Sequence, residues 1–328
     1  MNKIENVKRL PQLRVLATDF CGNKCIYCRD SGEGNFKSEQ RCVALDVVTK
    51  VADAYKRLGG TEIKITGGEP VFWRDLVNCV DILKNQLKFQ RVEVITRSTE
   101  ILGLLDALVG VGLDILNFSL DSVNKHTYER MTLKHDFEEY INAVKRCSNM
   151  CVCKINTVIM KNFNDNEKEY MDLIEFCEDN GVRKLKFLDL IDDINFCDSQ
   201  ENNKVDLRRY SVPLKDMILR IGNISKSENV IFQGGLGHPM NSFILESGLE
   251  IVFKDSCNGA WYSQICFDCL HYPCHDALMG LRITPENSLQ LCLLNGEKNL
   301  SFDTDNIYPV MKEALTVYQD AFFREYCQ

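Results

Sequence analysis

Three cysteines lie within the stretch TDFCGNKCIYCRDSGEG, residues 18–34: Cys21, Cys25 and Cys28, spaced C-x3-C-x2-C. Three thiolates on one loop can hold three corners of an iron–sulfur cube. With no fourth thiol on that loop, one iron is left open. An open position is what a catalytic metal site has and a structural one lacks. The same spacing also suits half of a zinc site completed by a distant ligand. A second set follows near the end, Cys266-x2-Cys269-x4-Cys274-x17-Cys292, with Cys257 before it. Four thiolates there would close a second cluster or a zinc knuckle between two hairpins, and three would leave an iron free. His271 and His275 flank Cys274 and are further conceivable ligands.

Two other motifs can bind a small polar molecule. In TGGEP (66–70), Gly67 and Gly68 let backbone approach a ligand, and Glu69 offers a carboxylate to an ammonium; the same letters also describe an ordinary glycine turn. NFSLDS (117–122) carries Asn117, Ser119 and Asp121 at alternate positions, hence on one face of a strand.

These motifs need elements to position them. LRVLAT (13–18), EIKIT (62–66), VEVIT (92–96), ILNFSL (115–120), CKINTVIM (153–160) and KLKFLDL (184–190) are short β-rich runs. Helical patterns alternate with them at 45–59, 74–86, 138–149 and 166–181, and two of these end in Gly, as helix C-caps do. Six β-α units in series predict an α/β fold with a parallel sheet and right-handed crossovers. Six are too few for an eight-fold barrel. The expected shape is an open, partial (β/α)6 TIM-type barrel over residues 1–225, with the cysteines after the first strand at its chemistry-bearing C-terminal face. Residues 226–328 then form a cysteine-rich auxiliary region with hairpins at 242–255 and 281–294 and a late helix over YPVMKEALTVYQDAFFREYC (308–327).

Composition narrows the class. The chain has 328 residues, 45% of them hydrophobic and 26% charged, as a globular protein has. No run of about 18 apolar residues occurs, so no membrane span is expected. The start lacks the apolar core of a secretory signal, which makes the cytoplasm the default location. A net charge of −8 speaks against nucleic-acid binding. Sixteen cysteines in a long unsignalled chain suit metal ligation better than a disulfide scaffold. Cys42, Cys79, Cys147, Cys151, Cys153, Cys177, Cys197 and Cys327 are scattered and read mostly as buried small hydrophobes.

The spacing of Cys21, Cys25 and Cys28, with Tyr27 before the last, resembles the signature of radical S-adenosylmethionine (SAM) enzymes. The resemblance implies a [4Fe–4S] cluster on these cysteines whose open iron takes the amino and carboxylate groups of SAM. An electron then cleaves SAM to methionine and a 5′-deoxyadenosyl radical; a flavodoxin or ferredoxin is the expected donor. It also implies that Gly67, Gly68 and Glu69 hold the SAM ammonium, Ser119 its ribose, with Asp121, Thr96 and Ile191 as further contacts. The family's TTNG reads TRST here.

Within that superfamily the chain resembles the GTP 3′,8-cyclase branch. LRVLATDFCGNKCIYC is similar to that family's LRISVTDRCNFRCVYC. The tail LRITPENSLQLCLL, after its C-x2-C, is similar to the stretch that ligates a second [4Fe–4S] cluster near the substrate. That family spaces three cysteines C-x2-C-x13-C; here Cys266, Cys269, Cys274 and Cys292 supply four candidates for the same role, closing the cluster if all four ligate and leaving an iron open if three do. Departures are a C-terminus that reads FREYCQ rather than Gly-Gly, and an NRLR motif in which only Arg282 is matched, with Gly280 in place of the first arginine.

Strand alternation supplies a further expectation. If Ser119 and Asn117 face the lumen, so do Arg14, Lys64, Lys154 and Lys186, with Asn156 beside Lys154. Basic groups inside an acidic protein need anions. SAM carboxylate and Glu69 supply some; the rest predicts an anionic small-molecule substrate, nucleotide- or sugar-like. Buried acids such as Glu62 or Asp189 are the other possible partners, and a one-residue slip would reverse the inference. The expected activity is hydrogen abstraction from that substrate, aided by the second cluster. A radical SAM maturase of a ribosomal peptide is the rival enzyme, weakened by the lack of a leader-binding segment before residue 13. A zinc-stabilised binding protein is the rival of another class.

Overall fold

A computed structural model describes residues 10–28, 41–190, 206–233, 236–276 and 278–325. Ile191, Cys197 and Cys327 lie outside the described residues. The strands are β1 (Gln12–Leu16), β2 (Glu62–Thr66), β3 (Arg91–Thr96), β4 (Ile115–Ser119), β5 (Cys153–Val158), β6 (Lys184–Leu188), β7 (Ser227–Gln233), β8 (Leu236–Ile244), β9 (Glu250–Lys254), β10 (Ala260–Tyr262), β11 (Gly280–Ile283), β12 (Ser288–Gln290), β13 (Leu300–Ser301) and β14 (Phe322–Arg324).

The first six form a parallel sheet in chain order, as the alternation of strand and helix requires. Alternation within each strand explains which face is which. In β2, Ile63 and Ile65 are buried against the helices, while Lys64 between them points the other way, into the chamber. Helices Leu45–Arg57 and Phe137–Ser148 bury one stripe each, Val47, Val48, Val51 and Tyr55 in the first, Tyr140, Ile141 and Val144 in the second. Asn166 caps Glu167–Asp179 by accepting from Glu169 N at 3.2 Å. The predicted Gly terminators are Gly59 and Gly181, both at positive φ after their helices.

The tail does more than append. The β8–β9 hairpin docks β9 parallel to β6, and the β11–β12 hairpin docks β11 parallel to β1. Both edges of the six-stranded sheet are thereby covered, giving twelve strands in the order β13-β12-β11-β1-β2-β3-β4-β5-β6-β9-β8-β7. The result is a curled α/β half-barrel. Sheet extension by the tail is long-range pairing, which leaves no local mark in sequence. Cys79, Cys147, Cys153 and Cys177 are buried as small hydrophobes; Cys42 is exposed and Cys151 half-buried, which corrects the expectation for those two.

Candidate active site

The concave face of the sheet encloses a cavity of about 820 Å³. Cys21, Cys25 and Cys28 line it, from the loop after β1. So do Gly67, Gly68 and Glu69 after β2, Thr96 ending β3, Ser119 ending β4, and Asp121 just beyond it. Midway along the strands it is lined by Arg14, Lys64, Lys154, Asn156 and Lys186, the polar positions read from alternation.

The glycine turn is a true close approach. Gly67 has φ +128°, and a Cβ there would stand 2.6 Å from Thr18 O. A Cβ on Gly68 would stand 2.1 Å from Phe20 O, because Gly68 N and Glu69 N bond the cysteine loop's own backbone at Thr18 O and Phe20 O, at 2.7 and 2.8 Å. Only glycine lets the two loops meet. Glu69 is 1% exposed; its carboxylate accepts from Thr96 Oγ1 at 2.6 Å and Arg97 N at 2.7 Å. Burial still raises its pKa to about 7, so a cation beside it would favour the ionised form.

The cysteine loop is braced from β3 and β4. Arg97 Nη1 donates to Cys25 Sγ at 3.1 Å, its Nε to Ser119 O at 3.0 Å, and its Nη2 to Asp121. Tyr27 OH donates to the same Asp121 oxygen at 2.6 Å. Asn23 Nδ2 lies 3.6 Å from Cys21 Sγ. Burial raises the pKa of Cys21 and of Cys25, and Arg97 opposes it at Cys25. Sequence reasoning gave no role to Arg97, Asn23 or Tyr27's hydroxyl. The only signal for Arg97 was its intrusion into TRST, where the resembling family has no charge.

In the lumen an unforeseen acid does the pairing. Glu93, from β3, bonds Lys64 Nζ at 3.0 Å, Lys154 Nζ at 3.3 Å and Asn117 Nδ2 at 2.7 Å. Burial disfavours its charge, but the two lysines prevail and hold it at about 2. Glu62 instead pairs with Arg91 at 3.1 Å, and Asp189 accepts from Ser256 N at 2.9 Å. Lys254, ending β9, joins the lining as another unforeseen base. Burial, then repulsion from Lys64, Lys254 and Arg14, sets the Lys186 pKa well below the usual lysine range. Glu93 was missed because VEVIT was read for its strand, not for the phase of its one acid.

The tail cysteines gather separately. Cys266, Cys269, Cys274 and Cys292 line one small pocket with Tyr262, Tyr272 and Leu294. Burial pushes the Cys292 thiol up to about 11. Cys257 is exposed and lies off that pocket. Arg282 is buried in β11, opposite Arg14 in register, and bonds Gly280 O at 3.2 Å; it is not among the residues lining the chamber. Among the described residues no group of three or more His, Cys, Asp or Glu is arranged to hold a single metal ion. Three thiols on one wall beside a glycine cradle fit a thiolate-held cluster with a small zwitterion against it.

Residues 15–174 match the model of the radical SAM superfamily. The chain carries a radical SAM enzyme domain. A GTP 3′,8-cyclase of Petrotoga mobilis is 31% identical over 183 residues, 55% of this chain and 57% of that protein. A probable GTP 3′,8-cyclase of Methanothermobacter thermautotrophicus is 26% identical over 289 residues, 87% of this chain and 85% of its own. Among solved structures, Streptococcus suis SuiB bound to S-adenosylmethionine superposes with a TM-score of 0.64 at 15% identity, over 95% of this chain and 66% of that one. Native anSMEcpe with bound AdoMet superposes with a TM-score of 0.60 at 14% identity, over 94% of this chain and 81% of that one. These two likenesses establish the partial barrel. The radical SAM domain implies a [4Fe–4S] cluster and SAM. No helix among the described residues is long and apolar enough to cross a membrane.

Proposed function

We propose that the protein cleaves SAM reductively and abstracts hydrogen from an anionic small molecule, nucleotide- or sugar-like, bound in the barrel. Cys21, Cys25 and Cys28 hold the [4Fe–4S] cluster. When bound, the cluster supplies an open iron for SAM and the electron that releases a 5′-deoxyadenosyl radical. Gly67 and Gly68 admit SAM to the backbone, Glu69 faces its ammonium, and Ser119 and Asp121 face its ribose, with Thr96 holding Glu69 in place. Cys266, Cys269, Cys274 and Cys292 hold a second [4Fe–4S] cluster that binds substrate or passes an electron.

The observation that carries the substrate class is the charge of the lumen. Arg14, Lys64, Lys154, Lys186 and Lys254 line one cavity. Glu93 bonds Lys64 and Lys154, and burial and the neighbouring bases lower the Lys186 pKa, a shift that a bound anion would oppose. Asn156 adds a hydrogen-bonding group to the same wall. Arg282, off the chamber wall, lies opposite Arg14 in register and bonds Gly280 O.

The test is 5′-deoxyadenosine formation under dithionite, with an external low-potential donor such as flavodoxin or ferredoxin as the physiological counterpart. Replacing Cys21, Cys25 and Cys28 by Ala abolishes it; persistence in the triple variant would sink the reading. Nucleoside triphosphates and sugar phosphates should accelerate it in the wild type. Acceleration by a neutral peptide and by none of these anions would overturn the substrate class.

A further inference from the structure

Arg97 belongs to β3's exit, yet it ties three walls of the site together. Its backbone N donates to Glu69 Oε2 at 2.7 Å, and its backbone O accepts from Asn23 Nδ2 at 3.5 Å. Its guanidinium is a planar fork with fixed donor directions. One arm is held by Ser119 O at 3.0 Å and another by Asp121. The remaining arm meets Cys25 Sγ at 3.1 Å. The residue is 7% exposed, so this charge sits in a medium of low dielectric.

We propose that Arg97 is a positioning residue of the cysteine loop, holding Cys25 Sγ by a charge-assisted hydrogen bond and raising the reduction potential of the cluster that Cys25 ligates. The proposal rests on the radical SAM reading of the three cysteines. One-electron reduction adds a negative charge to the iron–sulfur group and its thiolates. A fixed guanidinium at a ligating sulfur favours the more negative state, and hydrogen bonds to cluster sulfurs are a known lever on potential. An arginine cannot escape by losing its proton. Asp121 pairs with the same guanidinium and so reduces the effect; Arg97 outweighs it at the sulfur because Nη1 touches Sγ directly, at 3.1 Å. Arg97 therefore aims one N–H of a buried cation at Cys25.

A plain brace and a potential-setting group differ in what they move. Wild type, R97K, R97Q and R97M are reconstituted anaerobically as full chains. Iron and sulfide are counted, and reductive titration follows the electron paramagnetic resonance signal that changes when SAM is added. R97M should keep its iron and titrate at a more negative potential than wild type, with R97K between them. Equal or higher potential in R97M with iron retained overturns the proposal. Where R97M loses iron, the pair R97K and R97Q decides: R97K must titrate above R97Q, and equality refutes a role for the charge. A wild type with no SAM-responsive signal would overturn the radical SAM reading itself, a different failure.

Discussion

Glu93 shows how one residue organises a charged interior. It joins Lys64 and Lys154 at 3.0 and 3.3 Å and is 1% exposed. Its pKa falls from 4.5 to about 2, so the stability it contributes is complete above pH 4.5 and drains away as pH drops toward 2. Glu93→Gln should cost roughly 3 kcal/mol, because it leaves two buried cations without their acid. It should also enlarge the alkaline gain in stability that the lowered Lys64 pKa already gives the wild type. Burial already lowers the Lys64 pKa, and without Glu93 it falls further, so the variant regains stability as pH rises and the lysine discharges. Thermal melting across pH checks both signs; an unchanged acid limb in the variant would contradict the pairing. Arg14, Lys64, Lys154, Asn156 and Lys186 were legible as inward residues because a strand's period is two. Their partner was not, since which acid faces which base depends on register across strands.

At the scale of elements, the glycine turn and the last helix make separate demands. Gly68→Ala would force a Cβ to 2.1 Å from Phe20 O, and backbone cannot step aside as a side chain can. SAM affinity should fall at least about tenfold, about 1.4 kcal/mol, while the iron of the proposed second cluster is retained. Equilibrium dialysis with SAM and iron counting on the same sample read the two effects; undiminished affinity would remove the turn from the SAM site. The helix Ile307–Gln319 docks the tail hairpin through Tyr318, whose hydroxyl bonds Gly280 O at 3.0 Å and Leu291 O at 2.6 Å. Both carbonyls are buried against it. Tyr318→Phe should lower stability by about 1–3 kcal/mol in urea unfolding, chiefly the cost of losing the donor to buried Leu291 O, since Gly280 O keeps its bond from Arg282 Nη1. The helix was readable from its pattern, but the reading ran on past its end at Gln319 into Phe322–Arg324, which pair as β14 with β10; its grip on β11 was not readable, because the contact joins residues far apart in the chain.

For the whole molecule, two separate sets of thiols predict a stoichiometry. Reconstituted protein should hold about eight iron and eight sulfide per chain, two cubes' worth. Replacing Cys266, Cys269, Cys274 and Cys292 together by Ala should leave about four of each, with SAM cleavage in the absence of substrate preserved. Zinc without sulfide in the wild type would reject both clusters. The molecule also brings Ile231 and Phe232 of β7, Met240 of β8 and Val252 and Lys254 of β9 into the chamber, so substrate binding should stabilise the tail along with the barrel.

The sequence by itself determined the chemistry class, through C-x3-C-x2-C, TGGEP and the strand–helix alternation, because those signals are local: ligand spacing, a glycine approach and a two-residue period. The tertiary structure decided where the tail goes and what balances the interior. β9 and β11 cover opposite edges of the sheet, Glu93 answers the lysines, and Arg97 reaches Cys25. Each of these is a meeting of residues distant in the chain, settled by strand register and packing rather than by any neighbouring letters.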